Sequence, residues 1–178
     1  MADDQRNMNP TTKKKSCLGR VMYLVLGIAI LLIGSMAFLS WSGGMTPPSL
    51  GVVNGKLAEL PDKPNCVSTQ TNDDSKRMEP LPMSKAGDSY DLGKTMETLK
   101  TILSQKGSNS IVDESEVYLH TTFQSRIFRF TDDVEFLINS DEGVVHFRSA
   151  SRSGHSDMGV NRKRMLEIST QYLQTVQP

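Results

Sequence analysis

The densest run of chemistry-bearing side chains is Arg148-Ser149-Ala150-Ser151-Arg152-Ser153-Gly154-His155-Ser156-Asp157-Met158-Gly159-Val160-Asn161-Arg162-Lys163-Arg164. Thr131-Asp132-Asp133 adds two acids upstream. Guanidinium groups next to the free amides of a helix start can hold phosphate, sulfate or carboxylate. The candidate ligand-binding set is therefore Asp132, Asp133, Arg148, Arg152, His155, Asp157, Asn161 and Arg162. A plainer role is open to the same residues. Arg162, Lys163 and Arg164 sit where the helix dipole disfavours cations by a few tenths of a kcal/mol each. Pairing with Asp132, Asp133, Glu135 or Asp157 would brace the loop and bind nothing.

Other chemistries fit less well. His120, His146 and the His155-Ser156-Asp157 triplet are possible metal ligands, but their spacing matches no zinc or calcium pattern, so no metal is expected. Ser151-Arg152-Ser153-Gly154-His155 lacks the strand–elbow–helix setting of a nucleophilic serine, and no catalytic residue is assigned. Neither a Gly-rich phosphate loop with its lysine nor a dinucleotide fingerprint is present, and no cofactor is expected.

The elements around these residues follow from periodicity. Val117, Leu119, Thr121 and Phe123 alternate with Tyr118, His120 and Thr122, and Ile127–Phe130, Val134–Asn139 and Val144–Ser149 read as further strands. Ser140-Asp141-Glu142-Gly143 is a plausible four-residue hairpin loop, which sets Asn139 opposite Val144. In that register Ile138 meets Val145, Phe136 meets Phe147, Glu135 meets Arg148 and Asp133 faces Ala150, bringing Asp132 near Arg152. Apolar residues then share one face and opposite charges the other; a one-residue slip destroys both matches. Tyr118, His120, Glu135, His146 and Arg148 fall on the polar face, which could equally be solvated surface.

Two helices flank the strands. Leu92, Met96, Leu99, Ile102 and Leu103 form an apolar stripe over Leu92–Gln105 that stops at Gly107. Met165, Ile168, Tyr172 and Val176, flanked by Leu166 and Leu173, form another over Asn161–Val176. The expected fold class is α+β, a small antiparallel sheet with both helices packed on one face.

Ahead of this domain lies a different kind of segment. Between Arg20 and Lys56 there is no Lys, Arg, Asp, Glu or His. Val21–Trp41 would span roughly 31 Å as a helix, against a hydrocarbon core of about 30 Å. Lys13, Lys14, Lys15 and Arg20 precede it, so the positive-inside rule keeps residues 1–20 cytoplasmic and exports the rest. Trp41 would mark the outer interface. Ser35-Met36-Ala37 is a small-x-small site, which leaves a cleaved signal open as the alternative. The expected plan is a basic tail over 1–20, a transmembrane helix over 21–41, a linker over 42–59 rich in Gly and Pro, and an extracytoplasmic domain over 60–178.

The 178 residues hold 20 basic and 20 acidic side chains, giving no global positive field and no expectation of nucleic-acid binding. Cys17 precedes the apolar run and Cys66 follows it, so the two should never pair; Cys66 is either a buried inert thiol or a redox or linking one.

Pro64-Asn65-Cys66-Val67-Ser68-Thr69, the stretch Phe128–Phe136, and the run from Arg148 through Gly154 with Ser156-Asp157 and Gly159–Arg162 resemble the DUF1499 family. This domain of unknown function occurs mainly in bacteria and also in plants. The resemblance covers roughly residues 60–176, leaves out the apolar segment, and implies no activity, substrate or catalytic residue.

The reading favoured by the sequence is a single-pass protein of the inner (plasma) membrane, anchored through Val21–Trp41. Its periplasmic or otherwise extracytoplasmic domain would bind a small anion or an envelope partner through the Arg/Asp/Ser-rich loop. An envelope hydrolase using His155 with Asp132 or Asp157 is the rival. A purely structural envelope protein is the third reading.

Overall fold

The computed structural model describes residues 17–45, 49–127 and 129–176. Residues 1–16, with Lys13, Lys14 and Lys15, and Phe128 lie outside the described residues, as do the side chains of Cys17 and Trp41.

The first helix, α1, runs over Cys17–Met45. Within it Gly19–Phe38 is 20 residues of mean hydropathy 2.5, long and apolar enough to cross a membrane, and none of it is buried within the protein. Length and composition fit a membrane anchor and a signal sequence alike.

The remainder is α+β. Two short strands, β1 (Val52–Val53) and β2 (Lys56–Leu57), form a hairpin. After it come β3 (Cys66–Ser68), β4 (Leu81–Pro82), a second small hairpin of β5 (Lys85–Ala86) and β6 (Ser89–Tyr90), and helix α2 (Leu92–Ser104). The chain ends with β7 (Asn109–Glu114), β8 (Tyr118–Gln124), β9 (Thr131–Asn139), β10 (Val144–Ser151) and helix α3 (Val160–Val176). The main sheet is antiparallel in the order β3-β10-β9-β8-β7, with β4 also paired to β10.

The β9–β10 hairpin has the register the alternation predicts. Asn139 faces Val144, Phe136 faces Phe147, Glu135 faces Arg148 and Asp133 faces Ala150. Its turn needs glycine at position 143. Gly143 has φ +68°, and a Cβ there would lie 2.1 Å from the Tyr90 ring.

One face of the sheet carries the main core. Leu119, Phe123, Val134, Phe136, Ile138, Val145 and Phe147 pack against Met96, Leu99, Ile102 and Leu103 of α2 and Met165, Ile168 and Tyr172 of α3. The Phe136 and Phe147 rings meet at 6.4 Å, tilted by 58°; truncating either to Ala costs about 3–5 kcal/mol. Asp91 caps α2, its side chain accepting from the Lys94 amide.

Two expectations meet a different outcome. Of Ile127–Phe130, the described residues Ile127, Arg129 and Phe130 form no strand: the loop closes on itself through Ser125, with Arg129 at φ +54° and Ile127 82% exposed. The fourth long strand is instead β7, whose Ile111 and Val112 lie exposed on the sheet edge and carry no alternation. Part of the stretch assigned to a linker, residues 42–59, is built into the fold. The β1–β2 hairpin closes through Ala58 N–H to the Gly51 carbonyl, and Leu57 packs with Tyr118 and Leu137.

That last contact alters the second sheet face. Tyr118, His120, Glu135, His146 and Arg148 are all buried there rather than solvated.

Candidate functional site

Adjacent residues on a strand point to opposite faces, and this divides the polar residues into two clusters. Asp132 shares the helix-side face with Val134 and Phe136, while Asp133 shares the other with Glu135. The expected approach of Asp132 to Arg152 is therefore replaced by two separate pairings.

On the helix side, Asn161 is the hub. Its Oδ1 accepts from Ser149 Oγ and from Arg164 Nη1 at 2.7 Å. Its Nδ2 donates to the Asn65 carbonyl at 3.0 Å, Ser151 Oγ at 3.0 Å and Asp157 Oδ2 at 2.9 Å. Asp132 accepts from Ser151 Oγ and from Arg164 Nη2 at 2.6 Å, and the Arg164 guanidinium lies 4.6 Å over the Phe123 ring. Asp157 caps the start of α3, accepting from the Gly159 and Asn161 amides. These groups satisfy one another, which is what bracing requires.

Two of the three cations at the start of α3 are thus explained locally. Arg164 reaches back to Asp132, and Arg162 donates to the carbonyls of Ser75 at 2.6 Å and Arg77 at 3.3 Å, tying the 69–77 loop to the helix. Arg164 was outside the candidate set. Its spacing of three from Asn161, which puts both on one helix face, was the available signal. His155 is exposed on the loop before α3, apart from Asp132.

On the opposite face two buried ion pairs lie side by side. Arg152 grips Asp133 with a two-pronged contact, Nε to Oδ2 and Nη2 to Oδ1, each 2.9 Å. His120 Nε2 lies 2.8 Å from Asp133 Oδ1. Burial works to raise the Asp133 pKa, but the hydrogen bonds from His120 and Arg152 and the Arg152 charge outweigh it and hold the carboxyl below its usual range. The same bond to Asp133 raises Arg152.

The second pair is deeper. Arg148 Nη1 donates to Glu135 Oε2. Glu135 Oε1 accepts from Tyr118 Oη at 2.7 Å and from the Gly51 amide at 2.6 Å. Burial, the bond to Glu135 and its charge push the Tyr118 phenol far up. Gly51 lies just before the β1–β2 hairpin, so Glu135 fastens that hairpin over the sheet.

Arg148 is 1% exposed, and its Nε and Nη2 meet no acceptor among the described residues. It lies on a cleft of about 950 Å³ between the 49–62 segment and the 68–76 stretch. Lys56, Gln70, Asn72 and Lys76 contribute polar walls, Glu59, Asp62 and Asp73 acidic ones, and Val53, Leu57 and Leu60 apolar ones. Cys66, buried on the neighbouring strand, donates its thiol to the Lys63 carbonyl at 3.0 Å. Burial pushes this thiol's pKa up, against the charges of Lys76 and Arg148, which keeps it protonated and unreactive.

Of the sequence-predicted set, then, Asp132, Asp157 and Asn161 meet beneath α3, and Asp133 and Arg152 meet on the other face beside Arg148. Arg162 and His155 join neither group. Among the described residues no three His, Cys, Asp or Glu side chains converge to hold a metal ion.

The family model described as "Protein of unknown function (DUF1499)" matches residues 56–171, which takes in both clusters, Lys56 and Lys76. The chain belongs to this family. No curated protein matches it. The DUF1499 match begins at β2, so the second strand of the covering hairpin falls inside the domain while α1 falls outside.

Proposed function

We propose that this protein is a binding module held at the outer face of the inner (plasma) membrane by α1, with residues 1–20 in the cytoplasm, and that its DUF1499 domain takes a small oxyanion in the cleft beside Arg148. The charge-free run and the cations before it support the topology. The observation that carries the binding role is Arg148, a buried guanidinium on the wall of the cleft whose Nε and Nη2 meet no acceptor among the described residues. A buried donor without an acceptor costs about 1–3 kcal/mol, and an oxyanion supplies the missing acceptors.

This reading moves the ligand away from the Arg/Asp/Ser-rich loop, where Asn161, Asp132 and Arg164 already satisfy one another. Of the expected residues it keeps Arg148 as the contact, with Asp133 and Arg152 as the neighbouring brace.

The test has two parts. A reporter active only in the cytosol, fused to the C-terminus, should stay silent; activity would overturn the topology. The full chain in neutral detergent should melt higher as acetate or sulfate is raised at constant ionic strength, as mass action requires, and Arg148→Met should abolish the rise. A melting temperature indifferent to both anions would refute the binding role.

A further inference from the structure

We infer that the end of the domain bearing the β8–β9 and β10–α3 loops docks on the anionic lipid headgroups of the bilayer that α1 enters. This docking requires the membrane anchor proposed above, and not the cleft beside Arg148.

Strand pairing brings the two loops together. Gln124 is paired with Thr131 and Asp132 with Ser151, so the chain leaves β8 and β10 at the same end of the sheet, on either side of β9. The turn from α2 into β7 arrives there too. Lys106, Arg126, Val160 and Arg164 line one cleft of about 500 Å³ at this end.

Three apolar side chains around it stay in solvent. Ile127 is 82% exposed, Met158 98% and Val160 47%. Met158 holds φ +54°, a left-handed backbone that methionine adopts only at a cost. With its side chain in water, no burial within the domain offsets that cost.

Charge selects the surface these side chains meet. Arg126, Arg129 and Lys163 are exposed and have no acidic partner among the described residues; Arg129 donates to the Gln124 side-chain oxygen, which leaves its charge uncompensated. The acids of this end are already engaged. Asp132 is held by Arg164 at 2.6 Å, Asp133 by Arg152 at 2.9 Å and Glu167 by Lys106 at 3.6 Å, while Asp157 accepts from the first amides of α3. Asp62, on the approach to β3, has Lys63 beside it in the chain. Positive charge is therefore in surplus here. At the other end the β7–β8 and β9–β10 turns carry Glu116, Asp141 and Glu142 and no cation, and Lys85 and Lys94 near Gly143 offset them in part. A domain with this polarity turns its basic end toward an anionic surface.

Area favours lipid over protein. A stable protein interface takes roughly 800 Å² from each partner, more than three side chains supply. A tethered domain needs less, because its anchor makes the contact intramolecular. The chain from Met45 to Val52 extends no further than about 25 Å, which keeps the headgroups within reach.

Met158 is a native probe of this contact. Peroxide converts an accessible methionine to its sulfoxide, whereas Met78, Met83, Met96 and Met165 are buried. The full chain is placed in nanodiscs of phosphatidylcholine, alone or mixed with phosphatidylglycerol, and Met158 oxidation is followed by peptide mass spectrometry. Each cation near an anionic surface strengthens attachment roughly fivefold, so oxidation should be at least about tenfold slower in the anionic discs. Added salt should close the gap. Arg126→Gln, Arg129→Gln and Lys163→Gln combined should restore fast oxidation with the melting temperature unchanged, since all three side chains are exposed. Equal rates in the two kinds of disc, or slowing that the triple variant retains, would overturn the docking. Protection in native membranes carrying the same chain, but in neither disc, would overturn it in favour of a protein partner. A chain that does not enter the discs would overturn the anchor, and the docking with it.

Discussion

Replacing Arg152 by Met keeps most of the aliphatic stem and removes the guanidinium that holds Asp133. Asp133 has a side chain with no solvent exposure, and His120 would be the hydrogen-bonding partner left to it among the contacts described. Stripping one partner from a buried ion pair costs about 3–5 kcal/mol; the 12% exposure of the Arg152 side chain places the expectation near the lower end, about 3 kcal/mol. The penalty should depend on pH. In the wild type the Asp133 pKa is depressed, so its stabilising contribution is complete above the unfolded value of about 3.9 and fades as pH falls through the lower folded value. Without Arg152 the depression shrinks and burial dominates, so the loss begins at higher pH. The difference between wild type and Arg152→Met should therefore be largest near pH 7 and close below about pH 4, where the carboxyl is protonated in the variant. Urea unfolding of the full chain, followed by circular dichroism from pH 3 to 8 in neutral detergent, measures this directly. Asp133→Asn in the Arg152→Met background should recover part of the loss, since the unpaired charge is gone. A difference under about 1 kcal/mol at pH 7, or one that stays constant with pH, would refute the reasoning.

Two other outcomes follow from the same structure. Asn161→Ala should destabilise by about 1–3 kcal/mol, because Ser149 Oγ loses its acceptor and Arg164 Nη1 its 2.7 Å one, while the Asn65 carbonyl keeps the Ser151 amide and Ser151 Oγ keeps Asp132; urea unfolding checks it, and a near-neutral result would mean the cluster does not brace the loop. Cys66 should resist iodoacetamide at pH 8 in the folded protein and react on unfolding, since the thiol is buried and its pKa raised; rapid labelling of the native state would contradict the inert assignment.

Much of the fold was legible from the order of residues. The β9–β10 register was available before any coordinate because strand periodicity is two and both faces are chemically marked, Phe136 with Phe147 on one and Glu135 with Arg148 on the other. The stripes on α2 and α3 were equally plain, although Leu166 and Leu173 stay exposed. The β7 edge was not, because one solvated edge strand carries little alternation. The division of the candidate residues was half legible: alternation alone sends Asp132 and Asp133 to opposite faces, but it does not say which arginine each will meet.

Local sequence thus determined the apolar helix, the class of fold and the pairing of its central hairpin, since each depends on a repeat of side chains along a few consecutive turns or strand pairs. Only tertiary structure decided that the polar sheet face is interior. That depends on Gly51 and Leu57, which lie in a stretch rich in glycine and proline, folding onto Glu135, Tyr118 and Leu137 some 60 to 85 positions further along the chain. Burial of Arg148 beneath them left two donors of an ordinary cross-strand ion pair without an acceptor among the described residues, which matters because removal from water makes an unsatisfied hydrogen bond costly.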